Sequence, residues 1–155
     1  MSFTNTAIIF RNDSDGTIAS HYILGGIDTE KNKDAVRFLS LYLDATKARM
    51  FFARRLILVE GIAEQALLPV LFEKVAGRTL ESIGCTILNV NGVAFRHFLT
   101  IVKNGFFKKC VVLTDRDTGT KVENRAATLQ TDFKDSPHIL RDYSPFASEL
   151  SVALC

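Results

Sequence analysis

Four carboxylates stand out for the chemistry their spacing allows. Glu60 directly follows the apolar run Leu56-Ile57-Leu58-Val59, and Glu64 comes four residues later, one helical turn on. Asp115 and Asp117 follow the run Cys110-Val111-Val112-Leu113-Thr114, and an extended chain places both aspartates on one face. At a separation of ~4 Å, two such charges repel by roughly 4 kcal/mol at an effective dielectric near 20. A cluster of this kind therefore requires protons, basic partners or a divalent cation. An all-oxygen set suits Mg²⁺ or Mn²⁺ and not zinc. A second Asp-x-Asp, Asp13 and Asp15, sits in the turn-forming run Asn12-Asp13-Ser14-Asp15-Gly16. It fails as a calcium loop because the twelfth loop position is Leu24 where a glutamate is needed. Asp13 and Asp15 are read as turn formers.

The elements that would deliver the carboxylates are legible from apolar patterning. Short, fully apolar runs at Leu56–Val59, Cys85–Leu88 and Cys110–Thr114 alternate with helical stretches. The first helix carries Ala66, Leu67, Val70, Leu71 and Val75 and stops at Gly77, with Pro69 inside it as a bend and not a boundary. The second runs from Val93 to Val102, with Phe95, Phe98, Leu99 and Val102 on one face. Strands buried on both faces and joined by single helices imply an α/β fold: three layers around a mainly parallel sheet. Ligands in such sheets sit beyond the carboxyl ends of the strands, where Glu60, Asn91-Gly92 and Asp115/Asp117 all arrive. The backbone amides of Asn91 and Gly92 are candidate phosphate contacts, as is Lys103.

Before this core, Ala7–Phe10 and Thr17–Leu24 flank a strong turn signal and predict a β-hairpin. Apolar residues from Asp34 through Ala53 predict a helical hairpin. The division expected is 1–53 for this hairpin and helical lead-in, 54–135 for the α/β core and 136–155 for a C-terminal tail.

Composition sets outer limits. The chain of 155 residues, 47% hydrophobic and 23% charged, suits one folded domain and excludes a disordered segment. Its longest apolar stretch, Ala66–Phe72, is far below the ~18 residues of a membrane span. MSFTNTAIIF lacks the pattern of a secretion signal, and three cysteines without CxxC spacing fit a reducing cytoplasm. His21, His97 and His138 fall at no ligand spacing. A net charge of +2 gives no general affinity for nucleic acid, so contacts to phosphate must come from local arrangement.

The strings LILVEGIAEQALLPVLFE (Leu56–Glu73), NVNG (Asn89–Gly92) and VVLTDRD (Val111–Asp117) resemble the Toprim domain, and more narrowly that of OLD-family (overcoming lysogenization defect) ATP-dependent nucleases. Glu60, Asp115 and Asp117 match the Toprim glutamate and DxD, and Glu64 matches the extra acidic residue of the OLD subgroup. The resemblance implies a Rossmann-like Toprim core and a metal-dependent DNA nuclease, with Glu60, Asp115 and Asp117 catalytic and metal-holding and Glu64 helping with a second Mg²⁺ or Mn²⁺. It also implies DNA as substrate and an ATPase domain normally in cis. The chain contains no GxxxxGK[ST] phosphate loop, so no nucleotide site is expected within it. Ser144–Leu154 is only faintly similar to the family's next acidic motif, with Glu149 a poor match, so the chain reads as a shortened piece. The competing expectation is a non-catalytic metal-binding or dimerisation module lacking its partner domains, with a homodimer as a possible form.

Overall fold

The structure, a computed structural model, describes residues 6–12, 14–24, 30–42, 49–91, 95–103, 109–114, 125–136 and 139–140. It opens with the hairpin β1 (Ala7–Arg11) and β2 (Ile18–Tyr22), paired antiparallel from Ala7↔Tyr22 to Arg11↔Ile18. The turn is held by its own polar side chains. The Asp15 carboxylate accepts from the Thr17 amide at 3.0 Å and the Thr17 hydroxyl at 2.7 Å, which holds its pKa below the usual value. Gly16 takes the left-handed φ of 72° that closes the loop. Asp15 is thus a turn former, and Asp13 lies outside the described residues.

Helix α1 (Lys33–Tyr42) follows, burying Ala35 and Leu39. The expected helical hairpin is only partly found: residues 43–48 lie outside the described set, and Arg49–Phe52 is one turn of 3₁₀ helix and not α-helix. Met50 and Phe51 turn into the core there while Phe52 stays exposed. Two adjacent phenylalanines on opposite sides break the helical face that their composition suggested.

The core is a four-stranded parallel sheet in the order β4-β3-β5-β6, with β3 (Arg55–Val59), β4 (Cys85–Asn89), β5 (Lys109–Val112) and β6 (Ile139–Leu140). Between them run α2 (Ile62–Ala76), α3 (Phe95–Val102) and α4 (Arg125–Asp132). Alternate side chains of β3 supply the two cores, as the two-residue repeat of a strand requires. Ile57 and Val59 pack with Phe72 of α2, Cys85 and Val111 on one face. Leu56 and Leu58 pack with Phe95, Phe98 and Leu99 of α3, Cys110 and Phe133 on the other, where Leu39, Ile23 and Leu24 join them. The molecule is therefore the expected three-layer α/β arrangement. Phe38 of α1 stacks on His97 of α3 at 4.5 Å between centroids, and burial there pushes the imidazole pKa down against the raising effect of Asp34. Among the described residues no helix is long and apolar enough to cross a membrane.

Helix α2 stops where Gly77 adopts a left-handed φ of 67° and its amide bonds the Glu73 carbonyl at 2.9 Å. The helix passes through Pro69 without ending. Its orientation is less legible. Phe72 is fully buried and Leu68 half-buried, whereas Leu67 and Val70, which marked the helix by their spacing, are 58% and 65% exposed. A helix that is apolar all round does not declare its inner face.

Candidate metal centre

The strands end in step at one edge. The Val90 amide bonds the Val59 carbonyl and the Leu113 amide bonds the Leu58 carbonyl, each at 2.9 Å. The pairing Arg55↔Lys109 through Leu58↔Val112, carried two positions further, sets Glu60 opposite Thr114. The Thr114 hydroxyl does donate to Glu60 Oε1, a contact between residues 54 apart in sequence. This point is also where the chain changes direction. The helix leaving β3 packs on one face of the sheet and the helix following β5 on the other, so the strand ends between them form a topological switch point, the place where the crevice of an open α/β sheet binds ligands. Glu60 thus stands at this switch point, bonded to the residue that immediately precedes Asp115. Asp115 and Asp117 themselves lie outside the described residues.

Glu64 lies in the first turn of α2, where the helix dipole favours an anion. Its side chain curls back over Gly61, so that a Cβ on Gly61 would lie 2.9 Å from Glu64 Oε2. Gly61 is extended there, at φ −135° and ψ 176°, and offers no side-chain cap. Glu64 Oε2 is buried and has no hydrogen-bond partner among the described residues. A buried carboxylate oxygen without a donor is costly, and a cation beside it removes that cost. The orphaned oxygen fits a hard divalent ion. Among the described residues no group of three or more His, Cys, Asp or Glu side chains converges as a ligand set.

The remaining expected contacts fare differently. Asn91 does lie at this edge, with a left-handed φ of 51°, but its amide is taken by the Asn89 side-chain carbonyl at 2.8 Å. It is therefore not presented to a phosphate, because an Asx-type turn uses the donor locally. Gly92 lies outside the described residues. Lys103 caps the far end of α3, where its amide bonds the Leu99 carbonyl at 2.9 Å. α3 runs back from the carboxyl edge toward the start of β5, so Lys103 is not brought to the crevice. Two other basic residues have structural partners: Arg55 donates to the Ile83 carbonyl, and Arg96 pairs with Asp132 across α3 and α4. Cys85 and Cys110 are buried strand residues, and burial pushes the Cys85 thiol up to about 12 and raises that of Cys110 as well.

Residues 51–117 match the family model described as the overcoming lysogenization defect protein-like TOPRIM domain. This segment is similar to the OLD-like Toprim domain. Two solved structures are similar to the chain. One is the C-terminal region of the Xanthomonas campestris pv. campestris OLD protein phased with platinum, 27% identical over 68% of this chain and 48% of that one, with a TM-score of 0.47. The other is the C-terminal region of the Burkholderia pseudomallei OLD protein, 25% identical over 60% of this chain and 55% of that one, with a TM-score of 0.43. The chain spans about half the length of each. No curated protein matches it.

Within the Toprim segment, sequence reasoning singled out the carboxylates and passed over Thr114, Gly61 and Asn89. The signal for Thr114 was present. Leu56–Val59 and Cys110–Leu113 are apolar runs of equal length, so aligning their first residues sets Glu60 against Thr114. For Gly61 there was no such signal, since its role depends on the path of one side chain.

Proposed function

We propose that this Toprim segment is the hydrolytic part of a metal-dependent DNA nuclease of the OLD type, acting with an ATPase domain supplied elsewhere in the parent protein. The observation that carries the reading is the bond from Thr114 to Glu60. It ties the glutamate that leaves β3 to the strand end from which Asp115 and Asp117 follow. On this reading Glu60, Asp115 and Asp117 hold Mg²⁺ or Mn²⁺, and Glu64 turns its orphaned oxygen to a second ion. Bound ions would supply Lewis-acid charge that orients water and offsets charge on the scissile phosphate. The chain's own contribution is to hold the carboxylates rigidly and to present the first-turn amides of α2 to an anionic group. The Toprim core, expected over 54–135, is taken to run on through β6, which completes the sheet at Ile139–Leu140.

Nicking of supercoiled plasmid in the presence of Mg²⁺ or Mn²⁺ tests the reading. Asp115→Ala is expected to abolish metal-dependent nicking by the chain, alone or joined to its ATPase domain. Cleavage that persists unchanged in the variant refutes the assignment. Ion binding without cleavage by the complete protein would favour the non-catalytic module.

A further inference from the structure

We infer that Thr114 is a positioning residue that latches the Glu60 carboxylate in its ion-holding orientation before any ion arrives; the inference rests on the nuclease reading above. The backbone is already fixed one residue earlier, where the Leu113 amide bonds the Leu58 carbonyl at 2.9 Å. Thr114 is β-branched and so has few χ1 choices, which places its hydroxyl on a short and stiff arm. That hydroxyl donates to Glu60 Oε1. A bond to a carboxylate is stronger than one between neutral groups. Each carboxylate oxygen has two lone pairs, so Oε1 accepts the threonine proton without forfeiting its capacity for a cation. Glutamate carries three rotatable bonds out from a strand end, and ordering them at the moment of binding costs rotamer freedom. A latch that holds the carboxylate beforehand lowers that cost, and its loss is expected to read as roughly tenfold in affinity. It also makes the geometry of the glutamate depend on the strand that carries the aspartates.

The test compares Thr114→Val, which keeps the branched shape and loses the hydroxyl, with Thr114→Ser, which keeps the hydroxyl. Mn²⁺ affinity of the whole chain is read by titration calorimetry or by the free-ion EPR signal. The Glu60 side-chain carboxyl carbon is followed by NMR in the metal-free protein. The expected result is about tenfold weaker Mn²⁺ binding in the valine variant and recovery to within about twofold in the serine variant. In metal-free protein, the Glu60 carbon signal should move in the valine variant and stay in place in the serine variant. Wild-type and valine variants that bind Mn²⁺ equally overturn the latch alone, as does a Glu60 signal indifferent to Thr114→Val. A wild-type chain that binds no Mn²⁺ overturns the nuclease reading, and with it the purpose assigned to Thr114.

Discussion

Replacing Gly61 by alanine should separate the ion site from the fold. The new methyl would begin 2.9 Å from Glu64 Oε2, closer than a Cβ and an oxygen tolerate. The neighbour in the way is the end of a flexible side chain, so Glu64 yields and the backbone does not. At φ −135° the alanine itself is unstrained. The free-energy contributions are small and partly cancel. Reduced freedom of the unfolded chain stabilises by about 0.4–1 kcal/mol. Alanine at the helix N-cap costs about 0.5–1 kcal/mol relative to glycine. Driving Glu64 off its rotamer costs about 0.5–1.5 kcal/mol. The net loss is about 1 kcal/mol, or roughly 2–4 °C in melting temperature for a domain of this size. Ion binding should suffer more. Displacing one ligand carboxylate should weaken Mn²⁺ binding at least tenfold, about 1.4 kcal/mol. Calorimetric titration of Gly61→Ala, Glu64→Gln and the double variant checks this, and the double variant should lose little beyond either single one. Binding in Gly61→Ala that matches wild type, or a melting temperature lowered by more than about 10 °C, would refute the proposed packing of Glu64 over Gly61.

Two further outcomes concern the scaffold. Phe72→Ala should cost about 3–5 kcal/mol in urea unfolding because it empties a fully buried site between α2 and β3, whereas Leu67→Ala should stay within about 0.5 kcal/mol. The reverse order would mean that α2 packs on its other face. The buried thiols set an alkaline limit on stability. Cys85 keeps its proton to about 12 when folded, and the unfolded chain releases it near the ordinary value of 9.0. Above that value the unfolded state binds fewer protons, so stability falls as pH rises, by about 1.4 kcal/mol per pH unit for each thiol. Thermal melts at rising pH should show this decline, and Cys85→Ala should lessen it relative to the same protein at neutral pH.

Much of the fold could be read from the chain because a doubly covered parallel strand has to be apolar throughout. Leu56–Val59, Cys85–Leu88 and Cys110–Thr114 stood out on that ground, and β3, β4 and β5 lie within one or two residues of those bounds. Helix α4, RAATLQTD, has too little apolar periodicity to be noticed, and β6 is two residues long, placed by its pairing with β5 and the burial of Ile139 in the core. Which side of α2 faces the sheet is a tertiary outcome, since both sides are apolar. The same divide runs through the site. Glu60 was legible as the residue at which a buried strand meets solvent, and Glu64 by its spacing of one turn. The hydroxyl of Thr114 carries no charge and gained meaning only from the pairing of β3 with β5. Asn91 illustrates the opposite failure: its position at the edge was readable, but the capture of its amide by Asn89 was not.

The most direct test is a crystal structure of the chain soaked in Mn²⁺, with the ion located by its anomalous scattering. The ion should lie in the crevice between the ends of β3 and β5, with carboxylate oxygens of Glu60 and Asp115 both at a ligand distance of about 2.0–2.2 Å. An ion seated away from Glu60, or a Glu60 carboxylate turned from Asp115 with Mn²⁺ present at saturating concentration, would contradict the account.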